Sequence, residues 1–212
     1  MVVSRGQADE VDQAFGSGSR LVGQLRFDAG NLTLDLVATV GRRFGTPIER
    51  LTGPDRLLAW VQGVGLRLVL TPTTVDDVAR VREFREQANE MVRATLAGLV
   101  PPAQAVAAVN SACAFPVTLE RAADGSGVVA SPVVPTADII IGLAARDTVV
   151  LLLGPDRRRI AECAARDCRM LYIRPPGARR VWCSSAHCGN RNRVAANYAR
   201  TKGRSVAAEG NR

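Results

Sequence analysis

Four of the five cysteines lie close together in the C-terminal part of the 212-residue chain. Cys163 and Cys168 form one pair, Cys183 and Cys188 form a second, and four residues separate the members of each pair. Four thiolates satisfy the tetrahedral coordination of a structural Zn²⁺ ion. The spacing therefore predicts one zinc ion per chain, bound by these four cysteines.

Other chemistry is open to the same thiols. An iron–sulfur cluster or a redox dithiol is an alternative to zinc. The remaining alternative is that the four thiols are unrelated and share no function. The only histidine, His187, adjoins Cys188 and is an alternative ligand. Cys113 stands apart and is expected to be a small buried side chain. Because no export signal is found, we expect reduced thiols rather than disulfides.

The residues around the cysteines predict how the two pairs meet. Residues 170–173 and 180–182 favour strands, and the Pro-Pro-Gly turn between them predicts a hairpin that returns the second pair to the first. A short helix is expected from about Arg157 to Cys163, and a longer one after Cys188, whose thiolate its amide dipoles would stabilise. This order predicts a treble-clef-like zinc finger with a basic helix over residues 157–204 and a tail over 205–212.

Positive charge is concentrated in the same region. Residues 157–212 hold 14 basic and 3 acidic side chains, whereas residues 1–156 hold 14 basic and 17 acidic ones. This asymmetry indicates a polyanion-binding end on an acidic-to-neutral body, although a solvated basic tail without a partner is the alternative. The candidate nucleic-acid contacts are Asn190, Arg191, Arg193, Arg200, Lys202 and Arg204.

Two of these candidates have competing structural roles. Asn190 either satisfies amides at the start of the helix or bonds base edges. Arg191 either pairs with phosphate or guanine, or packs its side chain over the hairpin. Tyr172 and Trp182 are expected to pack in the hairpin rather than stack on bases.

The rest of the chain predicts a mainly helical body over residues 25–156, after a flexible leader over 1–24. Helices are expected from Pro54, from an N-cap at Thr74, over residues 103–114 and over 135–153, the last buried on all sides. Residues 32–37 are apolar and read as strand or helix. Asp124-Gly125 between two strand-forming runs predicts a hairpin. The fold class is α+β, with a mainly helical body, a small β-hairpin and the C-terminal zinc finger.

Composition excludes several functional classes. No uncharged apolar run reaches the 18–20 residues that span a bilayer, and no apolar signal segment is found, so we expect a cytoplasmic protein without a membrane partner. Clustered histidines, paired carboxylates and a phosphate-binding glycine loop are also missing. A four-cysteine site leaves no open coordination position, so we expect no enzymatic activity.

Two motifs resemble known families. Residues 182–184 (Trp-Cys-Ser) and 188–191 (Cys-Gly-Asn-Arg) resemble the signature of the CGNR zinc finger. Residues 32–40 and 57–60 resemble blocks of the ABATE domain, which precedes that finger in bacterial stress-induced transcription regulators. The resemblance covers about residues 25–200, with one departure: Ala38 stands where the family is expected to carry Asn.

The resemblance implies a DNA-binding transcription regulator. Its helical body would sense an unknown small-molecule effector or form a homodimer. The alternative is an RNA- or protein-binding module in which the zinc is purely structural and DNA is not read.

Overall fold

A computed structural model of the chain describes residues 24–68, 71–116, 118–125, 127–130 and 135–209. Residues 1–23 of the predicted leader and 210–212 of the predicted tail lie outside these ranges. The helices are α1 (Leu32–Val37), α2 (Pro54–Gly63), α3 (Val75–Leu96), α4 (Ala103–Cys113), α5 (Thr136–Leu153) and α6 (Asn190–Glu209). The strands of the described residues form antiparallel pairs: β1 (Val40–Gly41) with β2 (Ile48–Glu49), β3 (Leu119–Arg121) with β4 (Val128–Ala130), and β5 (Ile160–Glu162) with β6 (Leu171–Ile173).

The α+β fold class is confirmed, and local signals explain where the helices begin. Pro54 occupies the first turn of α2. Thr74 caps α3 through a reciprocal capping box: its Oγ1 accepts the Asp77 N–H at 3.1 Å, and the Asp77 carboxylate accepts the Thr74 N–H at 2.9 Å. The segment that read as strand or helix is α1, because the Asn31 side chain accepts the Leu34 N–H at 3.2 Å and starts a helix.

The predicted hairpin at Asp124-Gly125 is also confirmed. Strands β3 and β4 pair with Glu120 opposite Val129. Gly125 has a φ of 71°, in the left-handed region that glycine adopts without steric cost.

The body is built around α5. Helices α3, α4 and α5 pack on one another, and α2 adds the fully buried Leu57 and Trp60 to the same core. The Trp60 indole N–H donates to the carbonyl oxygen of Asp35 at 3.4 Å, so the largest side chain of this core also satisfies its polar atom. Within the described residues, no helix is both long and apolar enough to cross a membrane.

A second core joins the body to the cysteine-bearing segment (residues 160–189). It contains Leu34 of α1, Val92 of α3 and Leu151 of α5, packed with Leu171 and Tyr172 of β6. The N–H of residue 173 in β6 also donates to the carbonyl of residue 29 at 2.7 Å. The boundary predicted between residues 156 and 157 therefore separates sequence regions that share this second core.

Two expectations about this segment are wrong. Residues before Cys163 form a short 3₁₀ turn (Pro155–Arg159) followed by β5, not a helix leading to the cysteine. Strand β6 pairs with β5 and not with residues 180–182, which are irregular. All three residues of β6 are buried, as are Ile160 and Ala161 of β5, whereas Val181 is exposed.

The β1–β2 pair was not predicted, and partly buried ion pairs attach it to α3. The Arg85 guanidinium, 4% exposed, donates to both Glu49 carboxylate oxygens at 2.8 and 2.7 Å and to Thr39 Oγ1 at 3.0 Å. Burial alone would raise the pKa of Glu49, but the hydrogen bonds and charge of Arg85, the Leu51 N–H and the charge of Arg82 together lower that pKa below its ordinary value. Arg43 adds a pair to Glu86 of α3 at 2.5 Å.

The buried carboxyl of Asp35 predicts a pH-dependent stability. Burial raises its pKa to about 7, although the Ala29 N–H that bonds to Oδ1 at 2.9 Å lowers it. The folded chain therefore holds this proton more tightly than the unfolded chain does. The stability that the protonated group contributes is lost as the pH rises from about 4 to about 7.

Asp35→Asn should remove this loss because the amide keeps an acceptor for Ala29 and never ionises. Urea unfolding of both zinc-loaded proteins should show the variant gaining roughly 3 kcal/mol on the wild type between pH 5 and pH 8. Stability curves that stay parallel over this range would contradict the assignment.

Candidate metal centre

The four cysteines converge on one buried point. Their sulfur atoms all lie within 4.8 Å of one another, with 3.7 Å between those of Cys168 and Cys183 and 3.5 Å between those of Cys183 and Cys188. A tetrahedral zinc ion with Zn–S bonds of about 2.3 Å needs sulfur atoms about 3.8 Å apart. The site fits one zinc ion, as the sequence predicted.

Strands β5 and β6 position the first pair. Cys163 follows β5 directly, and its N–H donates to the Met170 carbonyl at 2.9 Å. The turn then closes with the Cys168 N–H donating to the Ala165 carbonyl at 3.0 Å. Arg169 leaves the turn with a φ of 46°, uncommon for a residue with a side chain. Its guanidinium pairs with Glu162 at 2.9 Å, which ties the two strands across the turn.

A wide helical turn over residues 185–189 positions the second pair. Ser184 precedes the turn and accepts the His187 N–H with its Oγ at 3.2 Å. A Cβ at Gly189 would lie 3.3 Å from the Trp182 ring, so glycine permits this close approach of backbone and indole. The turn runs directly into α6, so Cys188 lies next to the start of a helix, as predicted.

His187 and Cys113 lie apart from the site. His187 is exposed, its Nδ1 lies 3.1 Å from Ser184 Oγ, and among the described residues the metal-binding cluster contains cysteines alone. Cys113 lies half-buried at the end of α4, packed against the body core. Ala38, the departure from the family pattern, is buried, and its carbonyl accepts a hydrogen bond from Arg50 at 3.2 Å.

Two arginines contact the sulfur atoms. Arg26 donates to Cys183 Sγ at 3.2 Å, and Arg191 lies 3.8 Å from Cys188 Sγ. Four thiolates on one Zn²⁺ carry a net charge of −2, which these guanidinium groups offset. Before metal binding, hydrogen bonds from the other three thiols hold the pKa of Cys163 well below its ordinary value. Arg26 was missed because 157 residues separate it from Cys183 and no motif marks it.

The predicted nucleic-acid contacts fall into three groups. Asn190 is exposed at the start of α6, and Arg193 and Arg200 are exposed further along it. Arg191 pairs at 2.7 Å with Asp167, which lies in the turn between Cys163 and Cys168 (the first knuckle), so it braces the metal centre in this structure. The side chains of Lys202 and Arg204 are outside the description, although both residues lie within α6.

The two aromatic residues pack in the cysteine-bearing segment. Tyr172 is fully buried, and its hydroxyl donates to the Arg180 carbonyl at 2.8 Å. Trp182 is half-buried and packs against the second core. The expectation that Tyr172 packs rather than stacks on bases agrees with this burial.

Zinc loss should destabilise the body as well as the cysteine-bearing segment, because both contribute to the second core. Purified protein should carry about one zinc per chain, and Cys163→Ser or Cys188→Ser should lose it. The helical melting temperature should then fall by roughly 10 °C, since a loss of several kcal/mol shifts a chain of this size by about 2–4 °C per kcal/mol.

Cys113→Ser is the matched control and should keep both zinc and melting temperature. Elemental analysis and far-UV circular dichroism provide the measurements. Iron in place of zinc, or body helices that melt unchanged after zinc loss, would refute this account.

Arg26 should tune the affinity for zinc. Arg26→Gln removes the N–H that bonds to Cys183 Sγ, and loss of such an outer partner weakens metal binding by about 10- to 100-fold. Competition with a chromophoric chelator measures the change. Arg158→Gln, which removes an exposed charge outside the centre, is the control; equal affinities for the two variants would show that Arg26 has no such role.

Comparison with known families agrees with this architecture. Residues 30–166 match the ABATE family model, described as "Putative stress-induced transcription regulator", and residues 159–201 match the model of the CGNR zinc finger. The two matches overlap at β5 and the first knuckle. No curated protein matches the chain. By its fold, its four-cysteine centre and these two matches, the chain belongs to the ABATE family and carries a CGNR zinc finger at its C-terminal end.

Proposed function

We propose that this protein regulates transcription by binding DNA through α6, and that its body responds to a small-molecule effector. The observation that carries the proposal is a basic helix held on a metal centre and exposed at nearly all of its described side chains, those at positions 190–198 and 200. The proposed role is binding rather than catalysis, because four cysteine ligands close the coordination of the zinc.

Helix α6 has little packing of its own within the described residues. Of the side chains described in it, at positions 190–198 and 200, all are exposed except Asn192, which is half-buried and donates to the Cys188 carbonyl at 2.8 Å. The helix is 20 residues long and so extends about 30 Å. A helix that buries so little of its surface in its own chain is available to a partner, and the DNA major groove is wide enough to admit it.

The basic residues of α6 follow helical spacing. Arg193 and Arg200 are seven residues apart, which places them on one face about 10 Å apart, and position 204 continues that face. Glu209 is the one acidic residue of this helix. The face suits contacts with successive phosphates, which contribute affinity without sequence preference.

A second face supports the alternative of a protein partner. Val194 and Tyr198, four residues apart, are 59% and 71% exposed. Exposed apolar pairs at this spacing are typical of helices that pack on another protein or on a second copy of the chain.

The DNA proposal predicts a steep salt dependence. If Arg193 and Arg200 neutralise phosphates, the logarithm of duplex affinity should fall linearly with the logarithm of salt concentration, by about 0.9 per contact. Arg193→Gln or Arg200→Gln should weaken binding to all sequences alike and reduce that slope by roughly one. Fluorescence anisotropy of labelled duplexes between 50 and 300 mM salt provides the measurement.

Arg157→Gln is the matched control, since it removes the same charge outside α6 and should leave the slope unchanged. Undetectable duplex binding at low salt by the zinc-loaded protein would reject DNA binding. Self-association that Tyr198→Ser abolishes, measured by sedimentation, would then favour the protein-partner alternative.

A further inference from the structure

A cavity of about 470 Å³ lies between the β1–β2 pair and the metal centre. Its volume is in the range of small-molecule binding sites, about 300–1,000 Å³. Arginines line it from both sides: Arg26, Arg42, Arg50 and Arg191. Apolar side chains, among them Ile48 and Met170, form other parts of the wall. The cavity thus combines several cationic donors with an apolar surface.

Arg50 is the unusual member of this set. It is 7% exposed, and its Nε is buried without an acceptor. One Nη donates to the Ala38 carbonyl, and among the described residues no carboxylate lies within ion-pairing distance of the guanidinium. The adjacent Glu49 carboxylate is already held by Arg85. A buried guanidinium with free donors is costly, because arginine does not lose its charge in proteins.

The surrounding backbone makes room for this guanidinium. A Cβ at Gly41 would lie 2.3 Å from one Arg50 Nη, so the guanidinium occupies its present position over β1 only because residue 41 has no side chain. Burial, and then the nearby charge of Arg26, lower the pKa of Arg50 below its ordinary value. The fold therefore holds the Arg50 guanidinium where, among the described residues, no anionic side chain pairs with its charge.

The other arginines of the cavity already have anionic partners. Arg26 pairs with Asp28 at 2.6 Å, and Arg42 and Arg191 pair with Asp167 at 3.1 and 2.7 Å. Arg26 and Arg191 are also the two that approach the sulfur atoms. The charge of the Cys168 thiolate acts on Arg50 through space, but among the described residues no sulfur accepts one of its N–H groups. The Nη donors of Arg50 that the Ala38 carbonyl does not take thus remain available to a ligand in the cavity.

We propose that this cavity binds a small organic oxyanion, a carboxylate or a phosphate ester, with the oxyanion on Arg50 and the apolar part against Ile48 and Met170. A planar guanidinium matches either group with paired hydrogen bonds. The ligand is a free small molecule and not a DNA phosphate, because a phosphate within a duplex cannot reach a side chain that is this deeply buried.

The cavity would be the effector site of the proposed regulator, so its role in regulation rests on the proposed function. The cavity wall includes Cys188, Asn190 and Arg191, at the junction between the metal centre and α6. A ligand on Arg50 would therefore touch the first turn of the helix proposed to bind DNA. If the ligand contacts that turn differently in the DNA-bound and the free protein, ligand binding in the cavity and DNA binding by α6 are coupled.

Isothermal titration of the zinc-loaded full chain with benzoate and with inorganic phosphate tests the site. Sodium chloride at matched ionic strength is the reference. We expect saturable binding of at least one probe, reduced at least tenfold by Arg50→Gln and retained by the control Arg158→Gln. No saturable binding of either probe, or equal binding by wild type and Arg50→Gln, would overturn the proposal.

A second variant covers the case in which Arg50→Gln loses zinc or fails to fold. Gly41→Ala leaves every charge in place, but its methyl group occupies the space of the guanidinium, so it should also lower probe affinity at least tenfold. Unchanged probe affinity in folded Gly41→Ala would count against Arg50 as the anion ligand.

Duplex titrations of the same variants separate the two possible sources of an oxyanion. Arg50→Gln should leave duplex affinity within about twofold of the wild type at fixed salt. A parallel loss of duplex and probe binding would assign the cavity to DNA phosphate and overturn the free-ligand proposal. Probe binding without any duplex binding by the wild type would reject DNA binding while leaving the anion site intact.

Discussion

The bonds between one zinc ion and four thiolates hold together a part of the chain that has few other means of folding. Residues 160–189 contain two three-residue strands and one turn of wide helix, which by themselves bury little apolar surface. Short segments of this kind gain their stability from the metal, because its binding free energy is folding free energy. Once the centre forms, Leu171 and Tyr172 gain a fixed orientation and complete a core that α1, α3 and α5 began.

Polar contacts add to this apolar junction. Arg93 of α3 pairs with Glu162 of β5 and donates to the Arg169 carbonyl at 2.6 Å. Phe44, in the β1–β2 loop, lies beneath both guanidinium groups, with the Arg169 carbon 4.3 Å and the Arg93 carbon 4.9 Å from the ring centre. These contacts connect the loop, α3 and the first knuckle in one place. They hold the β1–β2 pair beside the metal centre, and these two parts of the chain form opposite walls of the cavity.

What could be predicted from the sequence was governed by residues close together in the chain. Thr74 and Asp77 mark the start of α3 through hydrogen bonds that span three residues. The residue type and spacing of the four cysteines are enough to predict the metal site. The pairing of β5 with β6 was not predicted, because the run before Cys163 indicates a helix and residues 180–182 offer β6 another strand-forming partner.

Long-range contacts were beyond reach for the same reason. Arg26 reaches a cysteine 157 positions away, and Arg85 reaches Glu49 across 36 positions. Nothing in the type or neighbours of these arginines distinguishes them from the many others in the chain. The role of Arg50 likewise depends on what the fold leaves unpaired beside it, which no local pattern expresses.

The turn over residues 185–189 has a consequence for helix initiation. The first turn of any helix is its costly step, with an equilibrium constant of about 10⁻³ in isolated peptides, and helices without tertiary packing are marginal in water. Because zinc would hold Cys188 and Ser184 accepts the His187 N–H, that first turn is already in place where α6 begins. The metal centre thus supplies a preformed turn from which α6, about 30 Å long, can propagate.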